Sequence, residues 1–245
     1  MRLKNGLILA FIMFGMCLGC FAAKFNQDDL FKTMPTPPRS EIVTPASPPA
    51  DASTSNAAGT FASTVGSIKD AEKKAKARKF LPIANAKIAE EPNNAQYYLA
   101  RAQIYKDLEE YNAAFSDVNW AVKLSPSEQQ LFAFRSSLWS SVKKPAEALK
   151  DIEVALSIGP QTAELLNAKV TNLLVSDRLQ EALVAGDRAV QSHPESSYAY
   201  AIRGLVKYDL KDYAGSDADC RKAESLGSTE GVTTNLRQLL NLKKE

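Results

Sequence analysis

Charged residues recur in this chain at a spacing that allows them to pair. Four bases follow one another with a 34-residue period: Arg101, Arg135, Lys169 and Arg203. The first, second and fourth are each followed by an acid at one constant spacing along the chain: Asp117, Asp151 and Asp219. Ala185 stands where the acid of Lys169 would be.

A planar guanidinium can bind a carboxylate through two hydrogen bonds. We therefore predict structural ion pairs within the repeating units, between Arg101 and Asp117, Arg135 and Asp151, and Arg203 and Asp219. A ladder of arginines that binds anions is the weaker alternative, since each arginine has its own acid.

Sequence motifs of catalysis are not found. There is no glycine-rich phosphate loop, no Gly-x-Ser-x-Gly elbow and no His-Glu-x-x-His motif. His193 is the only histidine, which excludes a two-histidine metal site. We predict that His193 is structural or exposed and that Cys220 is a buried, unreactive thiol. We therefore expect no enzyme activity, no catalytic residue, no metal, no cofactor and no small-molecule substrate.

The charge balance argues against nucleic-acid binding. The 245 residues include 30 basic and 28 acidic side chains, for a formal net charge of +2. A nucleic-acid-binding domain needs a basic face or a strongly basic composition. We expect no nucleic-acid partner, and the length allows one or two domains.

The period of the four bases extends to apolar and turn-forming residues. The recurring sets are Tyr98, Phe132, Leu166 and Tyr200; Ala114, Ala148, Ala182 and Ser216; Ala121, Ala155, Ala189 and Ala223; and Pro126, Pro160 and Pro194. A fixed period of this length is the signature of a helical solenoid. The period and the residues that carry it resemble the tetratricopeptide repeat (TPR) family.

This resemblance implies an all-α fold, a right-handed α-solenoid of TPR helix hairpins with a C-terminal capping helix. It places the TPR domain at residues 63–245, with repeats at about 63–94, 95–128, 129–162, 163–196 and 197–230 and a cap at 231–245. The unit at 63–94 is the least regular, and we predict two helices there, with Pro82 in the first turn of the second. The third full repeat departs most from the pattern, with Lys169, Val170, Ala185 and Gly186.

The N-terminal region has the features of a targeting segment followed by a linker. Residues 1–23 combine a basic start with a short apolar run, which is typical of a secretory signal. The run ends in Cys17-Leu18-Gly19-Cys20, which resembles a bacterial lipobox and implies lipidation at Cys20. Ordinary cleavage near Ala22 or Ala23 and an uncleaved anchor are the alternatives. Residues 24–62 are rich in Pro, Ser and Ala and are predicted to be a disordered linker.

A binding surface is also implied by the resemblance. In TPR proteins the first helix of each hairpin lines a concave groove. The corresponding positions give these candidate partner-binding residues: Gln96, Leu99, Gln103, Ser137, Asn167, Thr171, Tyr198, Leu205 and Tyr208. They are uncharged, and the lysine and arginine of the carboxylate clamp that some relatives use are not present. Ordinary packing between repeats is the alternative for the apolar members.

Together these patterns predict a non-catalytic scaffold for protein–protein interactions in the bacterial cell envelope. It would be lipid-anchored with its TPR domain in the periplasm, bind a partner peptide or helix in the groove, and serve in assembly of an envelope, outer-membrane or pilus complex. One alternative is a recruiter or regulator of a cell-wall hydrolase or protease. Another is a plain secreted or signal-anchored TPR adaptor.

Overall fold

The computed structural model describes residues 57–228 and 231–243, and their side chains from residue 70 onward. Cys20 and the segment predicted to target the protein therefore lie outside the described residues. Every regular element in the described part is a helix. In chain order these are α1 Ala57–Glu90, α2 Ala95–Asp107, α3 Tyr111–Leu124, α4 Gln129–Ser141, α5 Pro145–Ile158, α6 Ala163–Val175, α7 Leu179–Ser192, α8 Ser197–Asp209, α9 Tyr213–Ser225 and α10 Val232–Asn241. None of these helices is both long enough and apolar enough to be a membrane span.

Four helical hairpins follow α1, and local sequence explains where their helices begin and end. Three first helices start behind a side-chain cap: Asn94, Thr162 and Ser196 accept a hydrogen bond from the backbone of the first turn. Pro145 occupies the first turn of α5, where its missing N–H costs little. The hairpins are α2–α3, α4–α5, α6–α7 and α8–α9, and we number them first to fourth.

The turn inside each hairpin has one conformation in all four copies. The chain reverses through a residue in the left-handed region, with φ between 58° and 66°: Glu109, Lys143, Asp177 and Lys211. The next residue donates its N–H to a carbonyl five residues back, for example Lys144 to Trp139 at 2.9 Å. This is the Schellman arrangement, which satisfies the last carbonyls of the first helix. Glycine usually occupies this position, so the residue types provide no local signal for these turns.

The described residues divide into two compact units, residues 57–124 and 125–243. In the first unit α1 packs on α2, where Ala77 and Ala84 of α1 contact Ile104 and Leu108. The prediction of a hairpin at residues 63–94 is wrong, because α1 is one continuous helix of 34 residues.

Proline is tolerated in the middle of α1. Pro82 lies inside the helix and cannot donate to the carbonyl of Arg78. Its neighbours Phe80, Leu81, Ile83 and Ala84 are packed against α2, and this burial offsets the lost hydrogen bond. The helix also begins at Ala57, within the range predicted to be linker.

In the second unit, three hairpins and α10 share a continuous apolar core that extends from Leu149 to Leu240. Close approach of the helices requires small residues. A Cβ on Gly204 of α8 would lie 2.5 Å from the side chain of Leu236 in α10. In α10, Leu236 and Leu240 are buried, and Leu242, directly after the helix, is exposed, so the helix covers the fourth hairpin with one face.

Candidate partner-binding surface

A forked ion pair joins the two helices of the first, second and fourth hairpins. Arg101 donates from Nε to one oxygen of Asp117 and from Nη2 to the other, both at 2.7 Å. The same fork, at 2.6 to 2.8 Å, joins Arg135 with Asp151 and Arg203 with Asp219. The three aspartate side chains are 5 to 7% exposed. Each pair therefore connects the helices in a place that water hardly reaches.

Aromatic rings complete the surroundings of these arginines. The guanidinium carbon lies 5.8 Å from the ring centre of Tyr98 in the first hairpin, and at 5.3 Å and 5.6 Å in the others, from Phe132 and Tyr200. The hydrogen bonds that Arg101 donates to Asp117 raise the pKa of Arg101 above its ordinary value, and those that Arg203 donates to Asp219 do the same for Arg203. The positive charges are thus used inside the hairpins, which disfavours the alternative of an anion-binding ladder.

Sequence reasoning missed a second set of partners for the same bases. Arg101 also donates from Nη1 to Asn85 in α1 at 2.8 Å, and Arg203 donates from Nη1 to Asp187 in α7 at 3.0 Å. Each of these acceptors precedes its base by the spacing at which the aspartates follow it. The repeat period carries a signal for these acceptors, at a backward spacing equal to the forward one. The bases consequently connect consecutive helical units as well as the two helices of one hairpin.

The third hairpin departs from this scheme. Lys169 binds backward to Glu153 of α5, with 2.6 Å between Nζ and the carboxylate. The forward position holds Ala185, which is buried and offers no acceptor. Beside it, Gly186 lies against Arg203, since a Cβ there would be 3.0 Å from the arginine side chain.

A base of α10 also binds to the preceding helix, but through acids at other positions. Arg237 of α10 stands one repeat period after Arg203 and binds two acids of α9. Its guanidinium donates to both oxygens of Glu224, at 2.9 and 2.7 Å, and to Asp217 at 2.6 Å. The hydrogen bond from Arg237 lowers the pKa of Glu224 below its usual value.

In the first unit, the three predicted partner-binding residues differ in accessibility. Leu99 is 2% exposed and belongs to the core, so it presents no surface to a partner. Gln96 and Gln103 are half-buried on α2.

In the second unit, three of the six predicted binding residues are core residues. Asn167, Thr171 and Leu205 are only 2 to 4% exposed. The hydroxyl of Thr171 donates to the Asn167 carbonyl of its own helix at 2.9 Å. The amide oxygen Oδ1 of Asn167 has no hydrogen-bond partner among the described residues. The resemblance to TPR proteins selected these residues by their position in the repeat, which does not reveal how deeply each side chain is buried.

The other three, Ser137, Tyr198 and Tyr208, are half-buried, and we call them the second-unit surface. Ser137 donates its hydroxyl to the carbonyl of Phe134 at 2.7 Å. Tyr208 packs edge-on against Tyr213, with ring centres 5.3 Å apart, and its hydroxyl reaches the Leu239 carbonyl at 3.5 Å. These side chains are fixed in position while part of each remains accessible.

A second accessible feature was not predicted. Trp120 of α3 is 46% exposed beside an open cleft of about 450 Å³ whose walls include Tyr98, Ser116 and Lys123. The Tyr98 and Trp120 rings are 6.3 Å apart, and Lys123 Nζ lies 5.5 Å from the Trp120 ring centre. The sequence signal was a tryptophan at a second-helix position where the next copy has Val154, also exposed.

Cys220 and His193 both make contacts within the fold. Cys220 is buried, and burial raises the pKa of its thiol to about 11. The ring nitrogen Nε2 of His193 lies 2.8 Å from the carbonyl of Gln161. Among the described residues there is no group of three or more His, Cys, Asp or Glu side chains placed to hold a metal ion.

Comparisons with known proteins bear on the fold. No protein-family model and no curated protein matches the chain. The crystal structure of PilW, a widely conserved type IV pilus biogenesis factor, matches with a TM-score of 0.59 at 16% identity, over 70% of this chain and 86% of that chain. YrrB, a TPR protein with an unusual peptide-binding site, matches with a TM-score of 0.56 at 16% identity, over 73% and 89%. MamA from Desulfovibrio magneticus RS-1, from residue 41 to its end, matches with a TM-score of 0.57 at 15% identity, over 65% and 95%.

At these identities the similarity establishes the fold. The predicted fold class, an all-α solenoid of TPR helix hairpins, is confirmed.

Proposed function

We propose that this chain is a non-catalytic scaffold that binds a segment of another protein on the first helices of its hairpins. The observation that carries the proposal is the second-unit surface, where Ser137, Tyr198 and Tyr208 are half-buried on helices braced by internal ion pairs. Tyrosines in such positions bring a large contact area at a low cost in side-chain entropy. YrrB, with the same fold, is a protein with a peptide-binding site, which supports this use of the fold.

The chemistry of the surface indicates the kind of segment that binds. The tyrosines offer apolar ring faces, and the arginines nearby are neutralised by their aspartates. A partner segment that relies on a terminal carboxylate would find no unpaired arginine among these pairs. We expect an apolar or aromatic-containing segment instead.

The binding surface is tested by cross-linked co-purification followed by alanine substitution. Tyr198→Ala combined with Tyr208→Ala should reduce recovery of the partner at least about tenfold, as expected for hot-spot residues. Trp120→Ala is the matched control, since it removes an accessible aromatic ring from the first unit. If partner recovery falls only with the Trp120 variant, the second-unit surface is not the binding site. Circular dichroism of each variant verifies that the fold is retained.

We further propose that a lipid on Cys20 tethers the chain in the bacterial cell envelope, with the TPR domain in the periplasm. The Cys17-Leu18-Gly19-Cys20 sequence supports this, and several acyl chains together give firm anchoring. Cys20→Ala should release the protein from the membrane fraction, with Cys17→Ala as the control. Unchanged retention of the Cys20 variant would contradict lipid anchoring. Mass spectrometry of the mature N-terminus distinguishes lipidation from cleavage near Ala22.

The biological setting that we propose is assembly of an envelope or pilus complex. The similarity to PilW, a pilus biogenesis factor, supports it at the level of fold. Co-purification with outer-membrane or pilus subunits is the expected result. Co-purification with a cell-wall hydrolase or protease whose activity changes would instead support a recruiter. Recovery from the medium would support a secreted adaptor.

A further inference from the structure

The polar contacts of the third hairpin are divided between its neighbours. On one side, α6 is joined to the second hairpin twice: Lys169 binds Glu153 at 2.6 Å, and Asn172 accepts from Ser140 at 3.0 Å. On the other side, α7 is joined to the fourth hairpin, where Arg203 donates to Asp187 at 3.0 Å. From this division we infer that the third hairpin is a hinge, at which α6 moves with the second hairpin and α7 moves with the fourth.

The interface between α6 and α7 has no directional side-chain contact. Within the described residues, no side-chain hydrogen bond or ion pair joins α6 to α7. The second and fourth hairpins each have a buried, forked arginine–aspartate pair at this place. The third has Ala185 at this place, and Glu181, the acid of α7 whose charge acts on Lys169, is exposed and forms its ion pair with Arg178 instead. One contact joins the flanking turns, where His193 lies 2.8 Å from the Gln161 carbonyl.

The apolar part of this interface also allows the two helices to shift relative to each other. Helix α7 contributes Ala182, Ala185, Ala189 and Val190 to the buried clusters that it shares with α6, and Leu179 and Leu183 pack against one of them. Apolar contacts are not directional, so small side chains can shift along a neighbouring helix without breaking a specific bond. By contrast, a forked ion pair holds its two helices in one register.

The buried amide of Asn167 adds to the cost of the closed arrangement. Its oxygen Oδ1 is buried on α6 without a hydrogen-bond partner in the described part of the chain. An unsatisfied buried acceptor raises the free energy of the conformation that buries it. The hinge does not depend on the proposed function, because it is a property of the protein without a partner.

Hydrogen exchange followed by mass spectrometry on the full chain tests the hinge. Exchange reports the free energy of local opening. In the unaltered protein, the amides of α6 and α7 should exchange at least about tenfold faster than those of α4–α5 and α8–α9. Equal protection across the three hairpins would overturn the inference.

A variant with an acid at position 185 tests whether the lack of an ion pair causes the hinge. Ala185→Asp places a carboxylate after Lys169 at the spacing found in the other hairpins, and should slow exchange in α6 and α7 by about tenfold. Ala185→Asn, nearly equal in size and uncharged, is the matched control and should not slow it. If the two variants exchange alike, the absence of the acid does not create the hinge.

A second variant covers the case in which Ala185→Asp does not fold. Asp151→Asn removes the charge from the pair in the second hairpin. Exchange in α4–α5 should then rise toward that of α6–α7, while α8–α9 keeps its protection. Unchanged protection of α4–α5 would contradict the role assigned to these pairs.

Discussion

An arginine that holds two helices from the inside contributes more to stability than one that pairs at the surface. Asp151 is buried against Arg135, so Asp151→Ala leaves an arginine 21% exposed with its main acceptor removed. We expect a loss of about 2 kcal/mol in the free energy of unfolding, measured by urea denaturation. Glu181→Ala breaks a pair with Arg178 whose side chains are 59 and 48% exposed, and should cost much less than Asp151→Ala. Equal losses would show that burial does not set the strength of these pairs.

At the scale of residues, the sequence predicted the ion pairs that recur at a constant forward spacing. It did not predict how deeply individual side chains are buried. The pair Arg135–Asp151 was visible because both partners recur with the same period and spacing. The backward acceptor Asp187 has the same regularity, but an amphipathic pattern gives no reason to search across consecutive hairpins. Leu99 and Thr171 lie on the predicted helices and are buried, because how closely neighbouring helices approach depends on the packing of the whole unit.

Acidic pH should weaken one contact between helices, the ion pair of Arg237 in α10 with Glu224 in α9. The pKa of Glu224 is lowered in the folded protein by its hydrogen bond from Arg237. A carboxyl whose pKa is lower when folded stabilises the fold above its unfolded pKa, here near 4.5, and loses that effect as pH falls through the folded value. The thermal midpoint should therefore decline below about pH 4.5, and Glu224→Gln should decline less over the same range. A parallel decline of both proteins would contradict this account.

The hairpin turns carry strain that a single substitution can relieve. Lys143 has φ of 58°, in the left-handed region where a side chain costs about 1 kcal/mol relative to glycine. Lys143→Gly should raise the free energy of unfolding by about 0.5 kcal/mol, after the added flexibility of the unfolded chain is subtracted. Lys150→Gly, an exposed position within α5, should lower it by about 1 kcal/mol. Denaturant titration measures whether the free energy of unfolding rises or falls in each variant. A destabilised Lys143 variant would contradict the prediction.

Element boundaries show why one part of the fold was predicted incorrectly. A proline usually marks the start of a helix, so Pro82 predicted a new helix at residue 82. In α1 the residues around it pack on α2, and this tertiary burial outweighs the local preference. Hairpins occupy residues 95–228, where four copies of the pattern reduce the influence of such local exceptions.

For the whole molecule, stability depends on covering the last hairpin. Leu236 is fully buried between α10 and the fourth hairpin, so Leu236→Ala should cost about 3 kcal/mol of unfolding free energy. Leu242, the residue that caps the end of this helix, is 69% exposed, and Leu242→Ala should change the free energy of unfolding by less than about 0.5 kcal/mol. Urea denaturation of the two variants measures the difference. Similar values for both would mean that α10 does not cap the core.

The position of Arg237 bears on how the number of repeat units in this fold can change. Arg237 stands one full period after Arg203, although α10 is a first helix without a second helix among the described residues. Helix α10 thus also holds the preceding hairpin by a base, although through Asp217 and Glu224, since Arg221 stands at the position of Asp187. A genetic duplication or loss of one whole repeat unit would leave that contact chemically possible at the new junction. The number of repeat units, and with it the length of the helical array, can then change while the same helix still covers the last hairpin.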